Sequence, residues 1–235
     1  MNPKQLEDAK KKAAYAAVEH VKNGFTVGLG SGTTAAYAIK ALGEKINREN
    51  MKVLAVPTSY QAFSLAVQSG IPLTTLEEYP TLDVTIDGAD QIDPNLNLIK
   101  GMGAALAREK IVASTSKQNI IIADSTKKVI TIGQNNHPVP IEILTFAIAP
   151  VQRRIDAIGG RPILREGKNK LGPVITDNGN AIIDAFFGTI SNPAELEKKL
   201  KQIPGIVETG LFINLSDTAY VGTAHTVERI EKKRK

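Results

Sequence analysis

Residues 87 to 110 read DGADQIDPNLNLIKGMGAALAREK, a stretch with three aspartates three apart, a lysine before two glycines, and one glutamate in an alanine-rich helical pattern. Asp87 directly follows the apolar run LDVTI, which places it at the carboxyl end of a predicted parallel strand, where open α/β sheets bind ligands. Asp90 and Asp93 follow; Asp93, just before Pro94, reads as a turn former or helix cap. Lys100 precedes Gly101, Met102 and Gly103, and glycines there let backbone and ammonium come close to a small ligand. Glu109 interrupts the stripe of Met102, Ala105, Leu106, Val112 and Ala113 on a helix predicted from about residue 102, while Arg108 and Lys110 project elsewhere. A carboxyl turned toward apolar surroundings resists ionising, so its pKa is expected to rise toward the range useful to a general base. A plain ion pair at Lys100 and an exposed, snorkelling Glu109 are the simpler alternatives. An acid or base at Asp87, a cation at Lys100 and a buried base at Glu109 are the set that proton abstraction beside a carbonyl needs.

The run VGLGSGTT, residues 27 to 34, sits where a strand meets a helix, so backbone N–H groups and the helix N-terminus can hold an anion there. It lacks the lysine of a mononucleotide P-loop. Thr33 stands where a dinucleotide loop has its third glycine, and the next strand, ending VPTSYQ, lacks the acidic residue that would hold a ribose. Ser31, Thr33 and Thr34 hydroxyls with unobstructed amides remain, and they suit a single phosphate better than a nucleotide. A glycine turn needed only for close strand–helix packing is the alternative. The loop also disfavours a nicotinamide oxidoreductase. His20, His137 and His225 lie far apart with no paired ligand spacing, and the aspartates lack the alternation of a calcium loop. Spacing alone leaves magnesium open, although no second ligand set stands nearby.

These groups need a scaffold. The first half of the chain alternates short β-rich runs with helical patterns, as parallel βαβ units do. FTVGLG, MKVLAVP, LDVTIDGAD and NIIIAD read as strands, and TTAAYAIKALGEKI, SYQAFSLAVQSG and GAALAREKIVAS as helices between them. Strands that are apolar nearly throughout are covered on both faces, so an open, doubly wound α/β sheet is expected. The pattern changes near residue 133. PVPIEIL reads as a strand, APVQRRIDAIGG as a helix with Val151, Ile155 and Ile158 on one face, and PVITDNGNAIIDAFF as two strands around an Asn-Gly turn. SNPAELEKKLKQIPG is a helix that Asn192 caps, Pro193 opens and Glu195 completes as a capping box. GIVETGLFI and AYVGT read as closing strands after this smaller α+β unit.

Composition narrows the class. The chain of 235 residues is 42% hydrophobic and 23% charged, with no apolar run long enough to span a membrane and no apolar secretion signal at its start. It has no cysteine, which excludes disulfides, thiolate metal sites and cysteine nucleophiles and fits a cytoplasmic setting. The formal charge of +5 comes from two ends: KQLEDAKKK carries net +2 and ERIEKKRK net +3. Charge confined to ends reads as solvated termini rather than a nucleic-acid surface.

Seven strings run nearly from end to end of the chain: GLGSGTT, DGADQID, KGMGAALAREK, IADSTK, GGRP, TDNGN and IPGIVETGLF. With them the chain closely resembles the type A ribose-5-phosphate isomerases of the pentose phosphate pathway. The resemblance implies a Rossmann-like, mainly parallel catalytic domain of residues 1–132 and 208–235, and a smaller α+β, ferredoxin-like domain of residues 133–207. It implies a sugar-phosphate substrate, catalysis without metal or other cofactor, and a homodimer or homotetramer; a cytoplasmic enzyme without nucleic-acid or membrane partner is the expectation from composition and charge. It puts on Glu109 the general base that moves a proton between C1 and C2 through an enediolate. Ring opening and proton shuttling between oxygens fall on Asp87, the cation beside the developing oxyanion on Lys100, and a supporting role on Asp90. The substrate loop falls on Ser31, Gly32, Thr33 and Thr34. Further substrate contacts fall on Asp87, Gly88, Ala89, Asp90, Lys100, Gly101, Met102, Gly103 and Lys127. Gln91 stands where many relatives have glutamate, and Met102 fills the variable position of the KGxG string. The rival reading is a non-catalytic sugar-phosphate-sensing domain, which would keep the phosphate loop and dispense with the buried base.

Overall fold

The computed structural model describes residues 1–169 and 171–232. Its first elements are α1 (Pro3–Val18), β1 (Thr26–Leu29), α2 (Thr33–Glu49), β2 (Leu54–Pro57), α3 (Tyr60–Gln68) and β3 (Val84–Gly88). Next come β4 (Gln91–Ile92), β5 (Leu98–Ile99), α4 (Leu106–Ser114), β6 (Asn119–Asp124), β7 (Val139–Ile143), α5 (Ile148–Ala157) and β8 (Arg161–Leu164). The chain continues through β9 (Ala181–Phe186), α6 (Pro193–Lys201), β10 (Ile206–Thr209), β11 (Leu211–Phe212), β12 (Thr218–Gly222) and β13 (Val227–Glu231). Two units result, each from separate pieces of chain. The first takes Met1–Ala89, Arg108–Lys128 and the chain from Leu215 on; the second takes Asp90–Ala107 and Val129–Asn214.

The first unit is a six-stranded sheet in the order β13-β12-β6-β3-β1-β2, parallel throughout except for β13 at its edge. Strand alternation assigns the faces. Val27, Leu29, Val84, Ile86, Ile120 and Ile122 build one core with Ala13 and Ala17 of α1, Ile39 and Leu42 of α2, and Ala62 of α3. Gly28 and Thr85 face the other way, toward Val112 of α4. A Cβ on Gly28 would lie 2.1 Å from Thr85 Oγ1 and 2.5 Å from Val112 Cγ1, so the bare backbone is what lets α4 pack this closely. Helices therefore cover both faces, and the sheet is doubly wound and Rossmann-like.

The basic N-terminal stretch is not a loose end. Pro3 opens α1, Asn2 and Gln5 cap each other's backbones, and Ala9, Ala13, Ala14 and Ala17 are buried. Small side chains bring the helix onto β6 and β12: a Cβ on Gly222 would come 1.9 Å from the carbonyl oxygen of Ala9. At the other end β13 takes up Val227–Glu231, and residues 233–235 of the basic tail lie outside the described residues.

In the second unit a fully antiparallel sheet runs β10-β7-β9-β8, with α5 following its first strand and α6 its third. First and third strands are central, which is the ferredoxin-like arrangement. Its core joins Ile141, Ile143 and Ile183 to Val151 and Ile155 of α5 and Leu200 of α6. A small antiparallel sheet, β11-β5-β4, adds Ile99 and Leu211 to the same core. That pairing is why residues 90–107 and 208–214 group with the second unit, whereas the expected boundaries put them in the first.

Three local expectations change. The Asn-Gly segment forms one strand, β9, and a single bridge from Ile175 to Ala181 rather than a two-stranded hairpin. The cause is the buried Glu142, whose Oε1 accepts hydrogen bonds from Thr176 Oγ1, Asn178 Nδ2 and Asn180 Nδ2 at 2.9, 2.9 and 2.8 Å. Bonding that one carboxylate oxygen draws the segment out of a ladder. Asn192 Oδ1 does accept from Glu195 N–H, but the Glu195 carboxylate pairs forward with Lys199 at 3.6 Å instead of closing a capping box. Ile158 caps α5 from outside and is partly exposed, leaving Val151 and Ile155 as that helix's buried face.

His20, just past α1, places Nε2 2.7 Å from the Tyr220 hydroxyl of β12. Burial, together with the charges of Arg229, Lys45 and Lys22, holds its pKa below the ordinary value. A depressed folded-state pKa means that this stabilisation is complete above the unfolded value of about 6.5 and is lost as pH falls through the folded value. The thermal midpoint should therefore drop further between about pH 7.5 and about pH 5 in the wild type than in His20→Gln. Equal drops in the two proteins would remove His20 from the account.

Candidate active site

Parallel order sets the carboxyl ends of β2, β1, β3 and β6 side by side, and every one carries polar groups. Asp87 is the last residue but one of β3, with only 3% of its surface exposed, and its Oδ1 accepts from Ser31 N–H at 3.2 Å and from Gly88 N–H at 2.7 Å. The loop after β1 thus folds directly over this carboxylate. Gly30 makes that possible, since a Cβ there would lie 2.0 Å from Asp87 Oδ1 and 2.5 Å from Asp87 Cα.

The loop's amides are less open than the sequence suggests. Ser31 N–H is taken by Asp87 and Gly32 N–H by Gln61 Oε1 at 2.8 Å. The Ser31 hydroxyl lies 2.8 Å from Thr58 Oγ1 and 2.6 Å from Ser59 Oγ, both just past the end of β2. Gly32 has φ +100°, a conformation that favours glycine, and it heads α2. Ala36 N–H makes the first bond along that helix, to Gly32 O at 3.0 Å. The N–H groups of Thr33, Thr34 and Ala35 stand ahead of it, at the positive end of the helix, where an anion is favoured. On β6, buried Asp124 accepts from Thr126 N–H at 2.9 Å and from the Thr126 hydroxyl. It caps the short 3₁₀ turn Ser125–Lys127, and Lys127 ends that turn at the same sheet edge.

The helix carrying Glu109 begins at Leu106 rather than near residue 102. Gly101 (φ +107°) and Ala104 (φ +59°) turn the chain first, with Ala104 N–H donating to Gly101 O at 3.0 Å. Met102 is consequently exposed and leaves the predicted stripe, while Ala105, Leu106, Val112 and Ala113 are buried as expected. Lys110 is buried as well, against expectation. Glu109 keeps 4% of its surface exposed and lies in the first turn of α4, where the helix end favours a carboxylate. A helix joining the parallel neighbours β3 and β6 runs back along the sheet, so its first turn falls at the carboxyl edge.

Asp90 and residues 100–103 belong to the second unit. Asp90 Oδ2 accepts from Met102 N–H at 3.0 Å, and Lys100 N–H donates to Gly210 O at 2.9 Å. Lys100 is 3% exposed, with its ammonium 5.3 Å from the centre of the Phe212 ring. Such a contact stabilises a desolvated cation. A Cβ on Gly101 would meet Leu106 at 2.6 Å and Pro140 at 3.0 Å. Gln91 Nε2 donates to Gln134 O at 2.9 Å while its Oε1 accepts from Gly133 N–H at 2.7 Å. A glutamate could accept there but not donate, so this glutamine suits the turn it holds. Asp93 serves as the expected turn former, with Oδ1 accepting from Asn95 and Asn97 N–H at 2.8 Å.

Gln61, Thr58 and Ser59 escaped sequence reasoning, although their place after a parallel strand was a usable signal. Phe212 left no signal.

The sequence model of the ribose 5-phosphate isomerase A (phosphoriboisomerase A) family matches residues 54–226. The ribose-5-phosphate isomerase A of Thermosynechococcus vestitus is 48% identical over 223 residues, covering 94% of each chain. The solved ribose 5-phosphate isomerase A of Methanocaldococcus jannaschii superposes with a TM-score of 0.92 at 43% identity, over 96% of this chain and 99% of that one. A D-ribose-5-phosphate isomerase solved in complex with phospho-erythronic acid gives a TM-score of 0.94 at 44% identity, over 98% of this chain and all of that one (100%).

Gly30→Ala would drive a methyl group into both the side chain and the backbone of Asp87, so rotating the carboxylate offers no escape. Displacing a reacting group by about 1 Å can cost 10²-fold, so turnover should fall at least about tenfold with the fold retained by circular dichroism. Undiminished turnover would mean that Asp87 and the loop can separate without penalty.

Proposed function

Since this chain belongs to the ribose 5-phosphate isomerase A family, we propose that it interconverts D-ribose 5-phosphate and D-ribulose 5-phosphate through an enediolate, within the non-oxidative pentose phosphate pathway. The observation that carries the chemical reading is Glu109, a carboxylate 4% exposed in the first turn of a helix at the carboxyl edge of the sheet. Glu109 takes the proton from C2 of the open-chain aldose; the released electron pair forms the C1–C2 double bond and leaves charge on O1. Lys100 stabilises that charge. Asp87 opens the ring and carries a proton from O2 toward O1, after which Glu109 returns its proton to C1. Asp90 supports the loop that bears Lys100. The scheme calls on no cofactor, because Lys100 supplies the cation.

The substrate phosphate sits at the head of α2, on Thr33 and Thr34, with Lys127 as a further cation; Ser31, Gly32, Gly88, Ala89, Gly101, Met102 and Gly103 complete the contacts. Phospho-erythronic acid, held by a solved relative, carries a phosphate and a carboxylate whose delocalised charge resembles an enediolate. That supports an anion-stabilising site. The sensing-domain alternative is not favoured, because relatives covering nearly the whole chain are named as isomerases. Among the described residues no helix is long and apolar enough to cross a membrane. A cytoplasmic homodimer or homotetramer completes the proposal.

Two measurements test these roles. Glu109→Gln keeps the shape of the side chain but cannot accept a C–H proton, so turnover should fall by roughly 10² to 10⁴-fold, while substrate still binds. Exchange of the substrate C–H with solvent should fall with it; if exchange and turnover stay within about tenfold of wild type, another residue is the base. Thr33→Val or Thr34→Val should raise KM far more than it lowers kcat, since phosphate contacts act in ground and transition states alike. Normal KM in both variants would place the phosphate elsewhere.

A further inference from the structure

The loop from Lys100 to Ala104 holds two residues of positive φ, Gly101 and Ala104, with Met102 and Gly103 exposed between them. Such a backbone persists only where surrounding groups hold it. Gly210 O holds the Lys100 amide and Asp90 the Met102 amide. The carbonyls are held by a residue that no motif singled out. Arg165, directly after β8, donates from Nη1 to Gly101 O at 2.9 Å and to Met102 O at 3.1 Å, and its Nη2 lies 3.9 Å from Met102 Sδ. Its Nε donates to Asp184 Oδ2 at 2.8 Å, and its Nη2 to Asp184 Oδ1. Both charged side chains are largely buried, at 12% and 15% exposure.

We propose that Arg165, fixed by Asp184, is a positioning residue that sets the place of the Lys100 ammonium through the two carbonyls that follow it. The guanidinium fork suits this role: one edge grips the carboxylate in two bonds, and the remaining nitrogen reaches both carbonyls. A lysine would offer a point charge and lose that fork. Arg165 is itself held on the sheet, since its N–H donates to Ile182 O at 2.8 Å and its carbonyl accepts from Val174 N–H at 2.8 Å. Asp184 lies on β9, paired with Ile163 of β8. The antiparallel sheet, to which the sequence assigns no site residue, thereby acts on the reaction through a rigid two-strand mount.

This rests on the reading of Lys100 as the oxyanion cation, and a double-mutant cycle separates the two. Steady-state kinetics would be measured for the wild type, Lys100→Ala, Arg165→Met and the double variant, with rates normalised to the folded fraction by circular dichroism. Lys100→Ala should lower kcat by about 10² to 10³-fold. Arg165→Met should lower kcat by about 10 to 10²-fold and raise KM by a smaller factor, because Arg165 itself does not touch the substrate while the loop it holds does. In the Lys100→Ala background the same change should cost less than about threefold more, as groups that act as a unit are non-additive. Arg165→Lys should fail to restore the rate, and Asp184→Asn should reproduce the loss in smaller degree. Should Arg165→Met fold poorly, the cycle runs with Arg165→Lys and Asp184→Asn. An equal factor in both backgrounds, or a loss that vanishes on normalisation, overturns the positioning role. A Lys100→Ala variant within about tenfold of wild type overturns the role of Lys100 itself and this proposal with it. A damaged Lys100→Ala beside near-normal Arg165 variants overturns the positioning role alone.

Discussion

A carboxylate removed almost wholly from water must find hydrogen bonds, and at Asp87 that demand organises the sheet edge. Gly88 N–H is a local donor; Ser31 N–H, another, belongs to the loop of the neighbouring strand. Supplying it brings that loop across Asp87, which a side chain at Gly30 would prevent. From there the chain turns through Gly32 and enters α2, so the position of that helix's N-terminal end follows from the needs of one buried acid. The hydroxyl groups of Ser31, Thr58 and Ser59 then tie β1 to β2 at the same level.

The doubly wound sheet was legible because strands buried on both faces are apolar almost without interruption, as NIIIAD is from end to end. The burial of Glu109 was legible because a charge in an apolar stripe stands out, even though the start of its helix was misplaced by four residues' worth of turn that Ala104 makes in an unusual conformation. Gln61, Arg165 and Glu142 were not legible in their roles. Their partners lie 29, 63 or 64, and 34 to 38 positions away, and periodicity reports only neighbours along one helix or strand. Strands of two residues, such as β4, β5 and β11, fall below any repeating pattern. They nonetheless decide to which unit residues 90–107 belong.

The second unit carries a buried and a largely buried carboxylate on its central strands and partners them in opposite ways. Glu142 on β7 gathers neutral donors from one segment, a hydroxyl and two amides. Asp184 on β9 holds a guanidinium. Neutral donors fix a loop without bringing a second charge out of water, whereas the ion pair must offset the desolvation of both partners. A buried ion pair is thus a weak source of stability and a strong source of geometry. The difference fits what each one holds: Glu142 a surface turn, Asp184 the arginine that reaches the Lys100 loop.

The seat of α1 on β12 has a consequence for biosynthesis. His20 and Tyr220, which join the two elements, are 200 positions apart, and the backbone of Ala9 lies against Gly222. The helix emerges from the ribosome about 200 residues ahead of one side of its docking surface. At roughly 5 to 20 residues per second, its alanine face waits about 10 to 40 s for that strand. Until then the partners open to α1 are those made earlier, among them α2, whose Ile39 and Leu42 share a core with Ala13 and Ala17.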